Sequence, residues 1–103
     1  MQIQINAPNV TPDDFQTKAE QGVQDALATY ADKLTRVEVH VQDLNGQKGG
    51  VDKRCLIEAR PRGLDPVTAE HEGTQAHEAL KGALDKLGRV LSRRFGKLGA
   101  REH

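Results

Sequence analysis

Apolar and polar residues alternate in four short stretches of the chain, with the two-residue period of a strand buried on one face. The stretches are Met1–Ile5, Arg36–Asp43, Lys53–Arg60 and Val67–Glu72. The second is the clearest, because Val37, Val39 and Val41 alternate with polar residues. Each stretch has only one apolar row, which predicts a four-stranded sheet with one face in the core and a polar outer face.

A first amphipathic helix is predicted between the first two strands. Thr11 is its predicted N-cap, Pro12 occupies the first helical position and Asp14 the capping-box position. The pattern continues to about Ala31. The predicted buried residues are Phe15, Ala19, Val23, Ala26, Leu27 and Tyr30. The remaining side of this helix is acidic and rich in amides.

The longest helical pattern runs from Thr74, its predicted N-cap, to Leu98. Its apolar stripe contains Ala76, Leu80, Ala83, Leu84, Leu87, Val90, Leu91 and Leu98. An adjoining arc contains Lys86, Arg89, Arg93 and Lys97. We call these four residues the α2 cation row; they lie along one side of the helix over about 16 Å. Such a row can neutralise the phosphates of a nucleic acid, whereas the simpler alternative is a solvated helix face.

The charge of the chain is unevenly distributed, although its formal net charge is zero. Residues 74–103 contain seven basic and three acidic residues, a net charge of +4, and the first 73 residues therefore sum to −4. A protein polarised in this way approaches an anionic surface in one orientation. Weaker candidates for contact with such a surface are Arg94, Lys81, Lys48, Lys53, Arg54 and Arg60. With only three aromatic residues, binding through stacked bases is not expected.

The sequence contains no pattern of a catalytic or metal site. Cys55, His40, His71 and His77 lack CxxC, HxxxH and HExxH spacing. His40 and Cys55 are predicted on opposite sheet faces, with Cys55 packed beside Ile57 and Ala59. The glycine-rich segment 44–52, which contains Lys48, lacks the ending of a phosphate-binding loop and is interpreted as a hairpin connection. We therefore expect no enzyme activity, cofactor, metal or small-molecule substrate.

Length and targeting features predict one domain in the cytoplasm. The 103 residues suit a single domain, residues 1–103, with 99–103 as a flexible tail. No apolar run is long enough to span a membrane, and the first residues lack the features of a signal peptide. The lone cysteine agrees with a reducing compartment. The element order predicts an α+β fold, a two-layer β-α-β-β-β-α sandwich with both helices on one face of the sheet.

Several segments together resemble the ribosome hibernation promoting factor family, also called ribosome-associated inhibitors or sigma-54 modulation proteins. They are MQIQI with the following PN, RVEVHVQD, NGQKGGVDKRCLIEAR, PVTAE and ALKGALDKLGRVLSRR. The resemblance covers nearly the whole chain. It implies a fold related to double-stranded RNA-binding domains and binding in the intersubunit channel of the small ribosomal subunit, where the protein would block the tRNA and mRNA path. It also implies that a chain without the long extension of some members acts through this single domain.

The family's DKLxRQLxK segment falls on residues 85–93, so the resemblance implies rRNA contacts by Lys86, Arg89 and Arg93. Val90 stands where the family usually has glutamine, and His77 where it generally has tyrosine. The basic residue that members tend to have near Gly22 is absent. We expect a translation inhibitor that preserves idle ribosomes under stress and is monomeric when free. The alternative is a protein-binding regulator that uses the polar sheet face or the acidic first helix.

Overall fold

The four strands form one sheet in chain order: β1 (Gln2–Asn6), β2 (Leu34–Asp43), β3 (Lys53–Pro61) and β4 (Val67–Gly73). The computed structural model describes residues 1–7, 14–44 and 53–100, the last four as backbone only. β1 pairs with β2 in parallel, and the other two pairs are antiparallel. A parallel pair requires a crossover, and α1 (Phe15–Ala26) supplies it. Both ends of each strand lie within two residues of the ends predicted from the alternation in the sequence.

Both helices cover the same face of the sheet. α1 packs beside β1, while α2 (Ala76–Ala100) lies across β3 and β4 and also touches α1. The predicted α+β sandwich with the order β-α-β-β-β-α is confirmed. α2 continues through Gly99 and Ala100, into the segment predicted as a tail, and residues 101–103 lie outside the described part of the chain.

The core lies between the sheet and the two helices. The sheet contributes the inward rows predicted from the alternation: Val37, Val39, Val41, Cys55, Ile57 and Ala59. The helices contribute Phe15, Ala19, Val23, Ala76, Ala79, Leu80, Ala83, Leu84, Leu87 and Leu91. Leu56, which alternates with the inward Cys55 and Ile57, is 36% exposed on the opposite face. Removing these apolar side chains from water is the main force that holds the two layers together.

The thiol of Cys55 is enclosed in this core, and burial raises its pKa to about 12. In the unfolded chain the thiol ionises near pH 9, so the folded state retains the proton over a higher pH range. The contribution of Cys55 to stability is therefore complete below pH 9 and falls as the pH rises toward 12. We expect wild type to lose about 1 kcal/mol relative to Cys55→Ala between pH 8 and pH 10, measured by urea unfolding. Rapid reaction of the native protein with a thiol reagent would contradict this burial.

The starts of both helices differ from the prediction. Ala79 N–H donates to Gln75 O at 3.0 Å, so Gln75 and not Thr74 is the N-cap of α2. Thr74 N–H donates instead to the Glu78 carboxylate at 3.3 Å, which holds the preceding turn. For α1, Asp14 makes no side-chain cap and pairs with Lys18 at 2.8 Å, which lowers the pKa of Asp14. Thr11 and Pro12 lie outside the described residues.

The end of α1 also differs from the prediction. The helix ends at Ala26, five residues before the predicted end, and Ala28–Tyr30 form a 3₁₀ turn. Ala26, predicted in the core, is exposed. It lines an open groove between the helices together with Gly22, and these small residues leave the groove unfilled. Tyr30 is half-buried and contacts α2 instead of completing an α1 stripe.

Candidate nucleic-acid interface

The α2 cation row lies on the side of α2 next to β4, along the edge of the molecule. Lys86, Arg89 and Arg93 are exposed. The backbone at Lys97 continues the helix, and its side chain lies outside the described atoms. Helical geometry holds successive members about 5 to 6 Å apart, so the row is a fixed array of positive charge.

None of the three described side chains of the row forms a salt bridge with any described residue. Lys86 Nζ donates to the main-chain oxygen of Glu70 at 3.0 Å, which fixes its position over the edge strand β4 without neutralising it. The row therefore retains its positive charge for an external anion. An anion that binds Lys86, Arg89 or Arg93 displaces no carboxylate of a described residue, so the attraction is not offset by the loss of an ion pair.

A shallow hollow of about 440 Å³ accompanies the row. Its walls are Lys86, Arg89, Val90, Ser92 and Arg93. Val90 is half-buried, although the apolar stripe predicted it in the core. Three cations, one hydroxyl and one aliphatic side chain suit the phosphates and sugars of a backbone, and the hollow contains no ring on which a base can stack.

The cations of the sheet are arranged differently, because carboxylates on the same face pair with them. Arg54 binds Glu70, with Nε 3.1 Å from Oε2, and this hydrogen bond raises the pKa of the guanidinium. Arg60 lies 3.2 Å from Glu58 and 3.8 Å from Glu38. A phosphate that bound either arginine would have to compete with these carboxylates. The two groups therefore differ in pairing: the described cations of the α2 cation row have no carboxylate partner among the described residues, whereas Arg54 and Arg60 of the sheet do.

The other weaker candidates are dispersed. Lys53 lies 3.9 Å from Asp43 at the end of the sheet. Lys81 lines the groove between the helices, on the α1 side of α2. Arg94 Nη1 donates to Asp65 O at 3.5 Å, near the turn between β3 and β4. Lys48 lies outside the described residues.

Two of the positions that depart from the family pattern, His77 and Gly22, lie where the two helices face each other. His77 packs its ring on Phe15, with the centroids 5.0 Å apart, so this imidazole joins the two helices. Gly22 borders the open groove, and a Cβ at this position would meet nothing within 4 Å. A Cβ therefore has room at this position. Neither residue lies in the hollow beside the α2 cation row.

The described residues contain no cluster of histidine, cysteine or acidic side chains able to hold a metal. His40 pairs with Leu56 across β2 and β3, whereas Cys55 pairs with Val41. His40 and Cys55 therefore occupy opposite faces of the sheet, as predicted. Within the described ranges, no helix is both long enough and apolar enough to cross a membrane.

A family model for the sigma 54 modulation protein / S30EA ribosomal protein family matches residues 3–99. The chain belongs to this family. Membership indicates a ribosome-associated protein, as the resemblance in the sequence implied. A comparison with curated proteins finds no match to this chain.

Two solved structures share the fold of this family member. A ribosomal subunit interface protein from Coxiella burnetii is 15% identical with a TM-score of 0.70, and the match covers 93% of this chain and 99% of that one. The Protein Y N-terminal domain from Thermus thermophilus is 24% identical with a TM-score of 0.69, over 90% of this chain and 98% of that one. At these identities the likeness shows a shared fold only. The binding residues have to be inferred from this chain itself.

Proposed function

We propose that this protein binds the rRNA of the small ribosomal subunit, inhibits translation and preserves idle ribosomes under stress. The observation that carries the proposal is the α2 cation row, whose described members have no carboxylate partner among the described residues. Family membership supports the ribosome as the partner. The protein would then act in the cytoplasm as a monomer and by occupancy alone, without catalysis.

The chemistry of the row favours recognition of the RNA backbone over recognition of sequence. Lys and Arg contact phosphates, and each neutralised phosphate releases a condensed counterion. Such contacts fix position and orientation but do not read bases. Specificity for one place on the ribosome would therefore come from the shape of the rRNA surface, which has to match a rigid helix beside a strand edge.

Cosedimentation with purified ribosomal subunits at increasing salt tests this function. We expect binding to small subunits, little binding to large subunits, and inhibition of cell-free translation at the same protein concentrations. If all four cations of the row neutralise phosphates, a plot of log affinity against log salt has a slope of about −3. Binding that does not depend on salt, or a preference for another protein in place of the subunit, would favour the alternative of a protein-binding regulator.

A further inference from the structure

Two of the three aromatic side chains of the chain meet at the end of the molecule where α2 passes the 3₁₀ turn. The rings of Tyr30 and Phe95 stack with centroids 5.4 Å apart and planes inclined by 26°. Both residues are half-buried. They close the end of the core and also present aromatic surface to solvent, so the sparse aromatic content is concentrated in one place.

One cation contacts this ring pair, and two more belong to residues that adjoin the site: Arg62, whose N–H donates to Lys33 O, and Arg94, next to Phe95 in the chain. Lys33 Nζ lies 5.1 Å from the centroid of Phe95. Arg62 Nε donates to Asp32 O at 3.1 Å, and Arg94 Nη1 reaches Asp65 O at 3.5 Å. The structure gives all three cations ring or main-chain contacts, and none forms a salt bridge with a described residue. The exposed acidic residues nearby, Asp32 and Asp65, leave an excess of one positive charge in this set.

Closing the core explains the rings but not the cations. A half-buried ring needs only apolar neighbours, whereas Phe95 has the ammonium of Lys33 over its ring. The guanidinium groups of Arg62 and Arg94 are held by main-chain oxygens of Asp32 and Asp65. Aromatic side chains held in place by a core lose little conformational freedom when a ligand stacks on them. A fixed aromatic surface beside cations is the combination with which proteins bind unpaired nucleotides.

We propose that Tyr30 and Phe95, with Lys33, Arg62 and Arg94, form a second RNA contact that binds an unpaired nucleotide. The base stacks on the ring pair, and the flanking phosphates contact the three cations. Lys33 has a long, exposed side chain that can move from the ring to a phosphate. Arg94 adjoins Arg93, so the site continues the α2 cation row around the helix. It adds base contact, which the row lacks and which the small number of aromatic residues argued against in the sequence.

The choice of RNA rests on the proposed function, but the stacking itself is testable apart from the ribosome. Tyr30 is the only tyrosine of the chain and tryptophan is absent, so the intrinsic fluorescence of the protein reports on this site alone. The probes are a short uridine oligonucleotide and an abasic oligomer of equal length with the same phosphates. We expect the uridine oligonucleotide to quench the tyrosine emission and the abasic oligomer to leave it unchanged. Equal quenching by both probes, or quenching by neither, would overturn the proposal.

Substitutions give a second, independent measurement with a fluorescently labelled oligonucleotide. Tyr30→Phe keeps the ring and should keep the affinity, whereas Tyr30→Leu and Phe95→Leu should weaken it about five- to one-hundred-fold. Lys33→Ala should weaken binding, while Lys18→Ala, the same charge change on α1, should not. Melting curves identify any variant that fails to fold. In that case the quenching of wild-type tyrosine fluorescence by the two probes tests the proposal. Wild type that cosediments with small subunits but shows no base-dependent quenching contradicts this site and leaves the proposed function intact.

Discussion

We expect the double variant Arg89→Glu with Arg93→Glu to lose cosedimentation with small ribosomal subunits. The substitutions place negative charge at the centre of the α2 cation row, where wild type offers two arginines without carboxylate partners among the described residues. Any residual binding should show a salt dependence flatter by about two units. Both side chains are exposed, so each substitution should change stability by about 0.5 kcal/mol or less. Circular dichroism and the melting temperature check that the variant is folded.

The matched control is Arg54→Glu with Arg60→Glu, which changes the net charge equally on the sheet. These arginines are paired with Glu70 and with Glu58 and Glu38, so we expect lower stability from the carboxylates left facing one another. Binding should persist when it is measured at a temperature at which the control is folded. The opposite result would be that the folded α2 variant binds with an unchanged salt slope and the sheet variant does not bind. That result would assign the interface to β3.

The strands were predictable because their alternation reflects a single physical requirement, one face buried and one face in water. A shift by one residue would expose the whole row of Val37, Val39 and Val41, so the pattern determines both position and orientation. The same reasoning placed His40 and Cys55 on opposite faces. Strand ends extended by one or two residues beyond the pattern, because pairing continues where the side chains are no longer periodic.

The helix ends were less predictable because they depend on contacts outside the helix. The period of α1 continues through Ala26 and Tyr30, yet the helix stops where the groove between the helices opens. Thr74 has the preferred side chain for an N-cap, but Glu78 binds its backbone N–H and its hydroxyl one residue before the helix. Propensity identifies the region of a helix end, and tertiary packing selects the residue.

The position of the α2 cation row could be predicted from the sequence, but the pairing of the other cations could not. The α2 cation row follows from helical spacing, which is local. Whether a cation has a carboxylate partner depends on residues distant in the sequence. Glu70 lies sixteen residues from Arg54, and Glu38 comes close to Arg60 only because β2 pairs with β3 in this register. The ring pair of Tyr30 and Phe95 joins residues still further apart, and no periodicity in the sequence indicates it. The role of these residues in RNA binding stays a prediction.

α2 approaches β4 closely at Gly82, so adding a single methyl group there should have a large effect on stability. His71 projects from β4 toward the helix layer and lies against Gly82 of α2. A Cβ at position 82 would lie 2.0 Å from His71 Cδ2 and 2.3 Å from Cγ. Because Cγ is fixed close to the backbone, the helix and the strand would have to separate. We expect Gly82→Ala to lower the free energy of unfolding by about 1 to 3 kcal/mol, measured by urea denaturation.

Gly88→Ala on the same helix is the matched control, since a Cβ there meets nothing within 4 Å. It should stabilise the protein by about 0.5 to 1 kcal/mol, because alanine favours a helix over glycine. Replacing His71 by alanine removes the obstructing ring, so Gly82→Ala in that background should behave like Gly88→Ala. The difference between the two backgrounds measures the coupling of residues 71 and 82. If Gly82→Ala stabilises wild type as much as Gly88→Ala does, the helix is not held against β4 at this distance, and the placement of Lys86 over the Glu70 carbonyl would fail with it.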